Sequence, residues 1–539
     1  MPVLEPTADL RSPSFVANRE RMLELIDNFR RLEQQVRDNS ARQADRFHKR
    51  GQLLPRERIE RLLDRGTSFL ELSTLAGYKM HDDDGGKNIM GGGNIIGVGQ
   101  VGGRRVLVTA NDAAIKGGSI CPMGLRKSLR AQEIALTNKL PCINMIESGG
   151  ANLLYQSELF VEGGRVFCNM ARLSAAGIPQ ITVVHGSSTA GGAYLPGLSD
   201  YVVVVRGQSK IFLAGPPLVK AATGEDATDE ELGGAEMHMT ITGTAEYMAD
   251  DDAGGLDIAR ELVAKLPWGE GIAAEAPRAF KPPRHDIEDL LGIVPVDYRQ
   301  PYDVREVIAR IVDDSDFLEF KPLYGQQTVC GHARIEGRAC GIIGNNGPIY
   351  PSGSSKAAHF IQACCQSGTP LVYLQNITGY MVGREAEEQG IVKHGSKMIQ
   401  AVSNATVPQF TIIIGASFGA GNYGMCGRSY DPRFIFAWPN SQIAVMGGEQ
   451  AAKVMEIITA AKFKRQGMDV DPAALKQMSQ GLRDKLDRQS TALYATARIW
   501  DDGIIDPRDT RRALAFSLAV CDEAGRRGLR PNSFGVGRM

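Results

Sequence analysis

Two related stretches decide the fold that this sequence predicts: AGIPQITVVHGSSTAGGAYLP at residues 176–196 and ATVPQFTIIIGASFGAGNYGM at residues 405–425. In both, a proline precedes a continuous apolar run, and a turn of small residues follows the run. Continuous apolar runs are typical of strands that are buried on both faces of a parallel sheet. Each stretch therefore predicts a buried strand that leads through a glycine-rich turn into a helix.

The spacing around these stretches repeats between the two halves of the chain. Lys127 precedes Pro141 by 14 positions, and Lys356 precedes Pro370 by the same 14 positions. Glycines repeat in the same way at a spacing of 42 positions: Gly149 to Gly191, and Gly379 to Gly421. Repetition of both the texture and the spacing indicates an internal duplication.

The duplication predicts the domain organisation. Buried strands that alternate with helices indicate parallel βαβ units. We therefore expect an α/β protein made of two copies of one domain, at residues 1–280 and 281–539, with a proline-rich linker at residues 269–301. Apolar residues at a helical period also predict an amphipathic helix at residues 17–39.

Composition excludes several classes of protein. Lys and Arg total 61 and Asp and Glu total 62, whereas nucleic-acid-binding proteins usually carry a basic excess. No apolar run approaches the roughly 18 residues of a membrane span. The nine cysteines include no CxxC pair, and an odd number in a long chain indicates reduced thiols. We therefore expect a cytoplasmic protein with no structural or catalytic metal.

The glycine-rich turns at residues 187–194 and 418–423 are candidate catalytic elements. Backbone N–H groups at the start of a helix have no partner within the helix and carry partial positive charge. Glycine lets a ligand approach the backbone closely. Such turns can act as oxyanion holes, which stabilise negative charge on a carbonyl oxygen. The sequence contains no Walker A loop, and neither of the two turns fits GxGxxG after a first strand, which disfavours nucleotide hydrolysis and hydride transfer.

Motifs along nearly the whole chain form one set: NDAAIKGGS (111–119), ESGGANL (147–153), NNGPIYPSGSSKAAHF (345–360) and FGAGNYGM (418–425). This set resembles the carboxyltransferase (β) subunits of biotin-dependent acyl-CoA carboxylases over about residues 20–539. NITGYMVG at residues 376–383 and SFGVGRM at residues 533–539 are most similar to the branch of 3-methylcrotonyl-CoA and geranyl-CoA carboxylases.

The resemblance implies a fold of two tandem crotonase-like (ClpP/crotonase) domains. It also implies a homo-hexameric β core, with each active site between the N-terminal domain of one subunit and the C-terminal domain of another. The chain has neither an AMKM-like biotinylation site nor an ATP-binding signature. We therefore expect biotin to be carried and carboxylated by a partner α subunit, and an acyl-CoA to be the substrate.

The resemblance also implies roles for single residues. The amides of Gly191 and Gly192 would bind the thioester oxygen of the acyl-CoA as it becomes an enolate, and those of Ala420 and Gly421 would bind the ureido oxygen of biotin. Further residues expected to bind biotin are Thr378, Gly379, Phe418 and Gly419. Residues expected to bind the acyl-CoA are Lys127, Gly149, Gly150, Ala151, Gly163, Ala190 and Lys356. For the two lysines the functional role is contact with CoA phosphates, and the alternative is a solvated charge at a helix start.

Gly163 bears on the choice of acyl group. Methylcrotonyl-specific relatives commonly carry a bulky aromatic residue immediately before a Gly-Arg pair, and here Gly163 precedes Gly164 and Arg165. If this position lines the acyl pocket, the missing ring makes room for a longer chain. The sequence therefore favours geranyl-CoA of terpene catabolism, carboxylated at its γ carbon. A glycine that serves only the start of a helix is the alternative explanation.

Other functions remain open from the sequence. The first is carboxylation of 3-methylcrotonyl-CoA in leucine catabolism. A propionyl-CoA-type carboxylase and the CoA-side subunit of a sodium-pumping decarboxylase share the fold. A crotonase-type hydratase or isomerase would need a pair of carboxylates near the first turn. A catalytically silent scaffold for the α subunit conflicts with the two intact glycine turns.

Overall fold

The computed structural model describes residues 3–268, 278–466 and 471–537. The chain forms two compact units, which we call the N unit (Arg31–Ala276 with Ala519–Met539) and the C unit (Met1–Arg30 with Pro277–Leu518). Each unit combines most of one half of the chain with a terminal segment of the other half. The predicted domains, 1–280 and 281–539, do not include this exchange of termini.

The N unit is built on a mixed sheet covered by helices. Its described strands are β1 (Leu70–Leu72), β2 (Asn94–Val101), β3 (Arg104–Asn111), β4 (Cys142–Ser148), β5 (Gln180–Thr189), β6 (Tyr201–Val205), β7 (Lys210–Phe212) and β8 (Tyr247–Ala249). The strand order is β1-β2-β3-β4-β5-β6-β8, with β7 beside β5. The pairs among β1, β2 and β3 are antiparallel, and all the others are parallel.

Helices connect these strands and cover the sheet. They are α1 (Pro13–Ala41, which begins in the C unit), α2 (Ala44–His48), α3 (Pro55–Leu62), α4 (Pro122–Thr137), α5 (Gln156–Ala175), α6 (Tyr194–Gly197), α7 (Pro216–Thr223), α8 (Asp229–Gly233), α9 (Ala235–Thr240) and α10 (Asp252–Lys265). The helix predicted at residues 17–39 is confirmed within α1. It buries one apolar stripe: Met22, Ile26, Phe29, Leu32 and Val36.

The C unit repeats this plan. Its described strands are β9 (Leu318–Glu319), β10 (Thr328–Ile335), β11 (Arg338–Asn345), β12 (Leu371–Ile377), β13 (Gln409–Phe418), β14 (Phe434–Ala437) and β15 (Gln442–Ala444). Their order is β14-β13-β12-β11-β10-β9, with β15 beside β13. Its helices are α11 (Leu290–Ile293), α12 (Val304–Ile311), α13 (Pro351–Ser367), α14 (Arg384–Glu388), α15 (Ile391–Ser403), α16 (Gly419–Gly424), α17 (Gly448–Arg465), α18 (Pro472–Ser490), α19 (Ala492–Ala497) and α20 (Thr510–Arg526, which ends in the N unit).

Strand register confirms the duplication and gives its offset. In the N unit β4 and β5 pair Cys142 with Gln180, and in the C unit β12 and β13 pair Leu371 with Gln409. Both members of the first pair are 229 positions before their counterparts. The two units therefore share one arrangement of their central parallel strands.

This register corrects one detail of the glycine spacing. At an offset of 229 positions Gly379 is equivalent to Gly150, whereas the spacing predicts Gly149 as its counterpart. The prediction is wrong by one position because Gly149 and Gly150 are adjacent, so that a glycine spacing alone cannot distinguish them. Gly421 is likewise equivalent to Gly192.

A duplicated ion pair lies at the first strand of each sheet, where the sequence repeats Phe-Leu-Glu at residues 69–71 and 317–319. Arg56 binds both oxygens of Glu71 at 3.0 and 2.9 Å. Arg305 binds both oxygens of Glu319 at 2.9 and 2.7 Å. Two-pronged pairing of this kind fixes orientation as well as distance. Each glutamate therefore anchors the first strand of its sheet to a nearby arginine.

The predicted linker is only partly irregular. Residues 269–277 lie outside the described residues. Residues 290–293 form α11, in which Leu290 and Leu291 are fully buried. The prolines of this segment flank the helix without interrupting it, so this part belongs to the core of the C unit. No helix in the described part of the chain is both long and apolar enough to cross a membrane.

Candidate active site

The two glycine-rich turns begin with a residue of the same left-handed backbone conformation. In the N unit β5 ends at Thr189 and Ala190 has a φ of +53°. In the C unit β13 ends at Phe418 and the equivalent Gly419 has a φ of +56°. A positive φ at alanine is uncommon because its Cβ crowds the backbone. The shared conformation shows that both units turn the chain in the same way, although only the C-unit turn enters an α-helix directly.

In the N unit the turn packs against residues 147–150, which comprise the end of β4 and the two glycines after it and which we call the ESGG loop. Ser188 Oγ donates a hydrogen bond to the Gly192 carbonyl at 2.8 Å. A Cβ atom on Gly192 would lie 3.2 Å from the Cβ and Oγ of Ser148. A Cβ atom on Gly150, where φ is +83°, would lie 3.3 Å from the Thr189 carbonyl oxygen. The loop and the turn thus leave little space for side chains at these glycines.

In the C unit the equivalent elements also meet. A Cβ atom on Gly421 would lie 3.1 Å from Cα of Gly379. Asn422 Nδ2 donates to Ser417 Oγ at 2.7 Å, which ties the turn to the end of β13. The structure therefore brings Gly379 and Gly421 together. Of the other residues expected to bind biotin, Thr378 and Ala420 are exposed, Gly419 is half-buried and Phe418 is buried.

The N unit contains an apolar cavity of about 660 Å³ that is open to solvent on one side and is lined in part by Gly191. Alternate residues of two neighbouring strands form one wall: Leu107, Thr109 and Asn111 of β3, and Cys142, Asn144 and Ile146 of β4. Helices α4 and α5 supply the opposite wall. Three of the predicted residues, Ala151, Gly163 and Gly191, line this cavity. A Cβ atom on Gly163 would meet no described atom within 4 Å.

A second cleft of about 540 Å³ lies on the other side of the ESGG loop. Arg46 and Arg50 line it together with Gln52, Glu147 and Gly149. Both arginine side chains are exposed. Gly149 lines this cleft and Ala151 lines the apolar cavity. The two spaces therefore meet the chain on either side of Gly150. Sequence reasoning missed the arginines, because two arginines around a five-residue helix form no motif.

A buried network of charged and polar side chains connects the ESGG loop to β5. Arg58, whose side chain is 1% exposed, binds Glu147 at 3.0 Å and Asp252 at 3.1 Å. Asp252 in turn lies 2.8 Å from Nδ1 of His185 on β5. Burial lowers the pKa of His185 to about 4, and the nearby Arg58 charge acts in the same direction. The neutral imidazole therefore links the strand that carries the Gly191 turn to the loop that carries Gly149.

The two lysines at equivalent positions are both buried. Lys127 Nζ donates to the carbonyl oxygens of Asn94 at 2.8 Å and Gly91 at 3.2 Å, and burial lowers its pKa to about 8. Lys356 Nζ lies 3.9 Å from Glu319 Oε1, and burial lowers its pKa as well. The alternative of a solvated charge is wrong for both. Neither ammonium group is placed to meet a phosphate, because each lies inside its unit.

Metal-binding side chains are dispersed in the part of the chain that the structure describes. Within it, no group of three or more His, Cys, Asp or Glu residues is close enough to hold a metal ion. All nine cysteines are free thiols.

Comparison with known proteins identifies the family. The model of the carboxyl transferase domain matches residues 46–532. The chain belongs to the carboxyl transferase family. The resemblance recognised in the motifs is therefore confirmed over most of the sequence.

Relatives of this carboxyltransferase are β chains of acyl-CoA carboxylases. It is 48% identical to a probable methylcrotonoyl-CoA carboxylase β chain of Drosophila melanogaster, over 100% of this chain and 95% of that one. It is 51% identical to a probable biotin-dependent acyl-CoA carboxylase β2 subunit of Mycobacterium tuberculosis, over 92% of each chain. The crystal structure of the geranyl-CoA carboxylase β subunit of Pseudomonas aeruginosa matches it with a TM-score of 0.93 and 58% identity over 100% of both chains. These matches confirm the predicted crotonase-like α/β fold.

Proposed function

We propose that this carboxyltransferase transfers a carboxyl group from biotin on a partner α subunit to the γ carbon of a branched α,β-unsaturated acyl-CoA, with geranyl-CoA preferred. The observation that carries the preference is the apolar cavity that is lined in part by Gly191. 3-Methylcrotonyl-CoA is the second candidate, because relatives with about half of their residues identical are named for it.

The size of the cavity favours the longer substrate. At roughly 30 Å³ for each water-sized group, about 660 Å³ accommodates about twenty heavy atoms. The five-carbon methylcrotonyl group would leave most of this space empty, whereas the ten-carbon geranyl group fills much more of it. Gly163 on the cavity wall also favours the longer acyl chain, because no described atom lies within 4 Å of a Cβ atom added there.

The Gly191 turn supports the reaction through its backbone. Loss of the γ proton leaves negative charge that spreads through the double bond onto the thioester oxygen. The amides of Gly191 and Gly192 would donate hydrogen bonds to that oxygen, which lowers the barrier most when the donors are already in place. Ala190 contributes to the site through its left-handed backbone conformation, which begins the turn that carries the two amides.

The position of the second cleft suggests how the CoA moiety binds. Its phosphates would lie in the cleft near Arg46 and Arg50, since guanidinium groups bind phosphate oxygens in pairs. The thioester end would pass the backbone of Gly150 into the cavity. Lys127 would act indirectly, because it holds the backbone of Asn94, which borders the cavity.

The C-unit turn fits biotin. Gly379 has a φ of +132° and no described atom within 4 Å of an added Cβ, so a ring could approach the backbone there. When bound, carboxylated biotin supplies the carboxyl group and the base. The amides of Ala420 and Gly421 would bind the ureido oxygen, while Thr378, Phe418 and Gly419 would shape the surroundings.

We also propose a homo-hexameric β core that works with a biotin-carrying α subunit in the cytoplasm. The lack of a biotinylation motif in the chain supports the partner α subunit, and the nine free thiols support a reducing compartment. Measurement of the mass of the purified β chain in solution tests the assembly.

The decisive experiment is reconstitution of the α and β subunits. We expect fixation of labelled bicarbonate that depends on ATP, on biotinylated α subunit and on an acyl-CoA, with the highest kcat/KM for geranyl-CoA. If 3-methylcrotonyl-CoA is used better, the second candidate is correct. If no acyl-CoA is carboxylated, the proposed function is wrong.

A further inference from the structure

The space that forms the apolar cavity in the N unit is filled by side chains in the C unit. At the offset of 229 positions, a small or polar residue of the N unit stands three times where the C unit has an aromatic ring: Ala131 for Phe360, Asn144 for Tyr373, and Ala151 for Tyr380. Phe360 and Tyr373 are fully buried in the core of the C unit. The cavity therefore results from missing rings rather than from a different backbone.

Asn144 is the most informative of these positions. In the C unit the Tyr373 hydroxyl donates a hydrogen bond to Gln409 Oε1 at 2.8 Å. Gln180 is the equivalent of Gln409, and it lines the cavity together with Asn144. The N unit thus has the glutamine that would pair with a ring at this position, but it has no ring there.

Asn144 lies deep in the cavity. It is four positions before Ser148, the last residue of β4, which at roughly 3.3 Å per residue places it about 13 Å along the strand from Ser148. From single bonds near 1.5 Å, an extended geranyl chain reaches about 9 Å from its thioester carbon, and a fifteen-carbon homologue reaches about 14 Å. The wall at Asn144 therefore remains beyond the end of a bound geranyl chain.

We propose that Asn144 is a specificity-determining residue, and that the absence of a ring at this position sets how long a branched unsaturated acyl chain the cavity can hold. The inference rests on the proposed function, because it assumes that the acyl chain enters this cavity. The reacting end of such a chain is the same as in geranyl-CoA, so the Gly191 turn needs no change. An aromatic ring at position 144 would block only the part of the cavity that is farthest from the Gly191 turn.

The test uses the reconstituted α and β subunits with 3-methylcrotonyl-, geranyl- and farnesyl-CoA. We expect the wild type to carboxylate farnesyl-CoA. In Asn144→Tyr the ratio of kcat/KM for farnesyl-CoA to that for 3-methylcrotonyl-CoA should fall by about 100-fold or more. Asn144→Leu, which fills less space, should lower this ratio by a smaller factor and serves if the tyrosine variant does not assemble.

Leu136→Tyr is the matched control, because it adds the same ring at an exposed position of α4. The ratio should not change in this variant. If the wild type carboxylates the two shorter esters but not farnesyl-CoA, the proposed function stands and the inference about Asn144 is wrong. A ratio that stays within two-fold in both Asn144 variants also overturns it. Failure with all three esters would instead contradict the proposed function.

Discussion

Nδ1 of His185 lies 2.8 Å from Oδ1 of Asp252, and water reaches neither side chain to any useful extent, with 0% and 2% exposed. The other oxygen of Asp252 binds Arg58, which also binds Glu147 of the ESGG loop. The network therefore joins the two backbone segments that border both the cleft and the cavity. The protonation state of His185 therefore affects the stability of both segments.

The first prediction concerns acid stability. Burial lowers the pKa of His185 from 6.5 to about 4, so the unfolded chain binds this proton at a higher pH than the folded chain. Stability should therefore decrease as the pH falls from about 6.5 to about 4, by about 3 kcal/mol from this residue. Urea unfolding at several pH values measures this slope. His185→Asn keeps a donor for Asp252 without the titration and should flatten it; equal slopes would contradict the assignment.

The second prediction concerns acyl-chain selectivity. Gly163→Phe places a ring in the open part of the cavity wall, so turnover of geranyl-CoA should be lost while turnover of 3-methylcrotonyl-CoA remains. The ratio of their kcat/KM values should fall by about 100-fold or more. Gly481→Phe, at an exposed and open position of α18, is the control. An unchanged use of geranyl-CoA in Gly163→Phe would show that position 163 does not line the acyl site.

The third prediction concerns the CoA phosphates. Arg46→Gln and Arg50→Gln should each raise KM for the acyl-CoA by about ten-fold with little effect on kcat, because a charged hydrogen bond contributes about 1.5 kcal/mol or more. The wild-type KM should also rise with salt concentration more steeply than that of the variants. Arg42→Gln in the same segment lies outside the cleft lining and should behave as the wild type. Unaltered KM values in both cleft variants would rule out this phosphate site.

The fourth prediction concerns the filled counterpart of the cavity. Tyr373→Asn removes a fully buried ring from the C unit and should destabilise the protein by about 3–5 kcal/mol. Tyr373→Phe removes only the hydroxyl that binds Gln409 and should cost about 1–3 kcal/mol. Chemical denaturation of the two variants compares these losses. If the phenylalanine variant is as unstable as the asparagine variant, the ring does not act by filling space.

Local features of the sequence predicted much of the fold. The strand-turn-helix stretches at residues 176–196 and 405–425 and the amphipathic helix follow from patterns between near neighbours in the chain, and the duplication follows from the recurrence of such patterns in the two halves. Such patterns suffice because hydrophobic periodicity and glycine conformations act over a few residues. The exact equivalence of Gly150 and Gly379 required strand register, which adjacent glycines do not reveal.

The candidate site depended more on contacts between distant residues. The sequence by itself determined the two glycine turns and the family, because their backbone conformation and motifs are local. Only the tertiary structure decided that Lys127 is buried against carbonyl groups and that Arg46 and Arg50 face a cleft. It also decided that Asn144 leaves open a space in the N unit whose counterpart in the C unit is filled by Tyr373. The reason is physical: burial, pairing and cavity volume depend on which side chains meet across strands and helices, and many residues separate them in the chain.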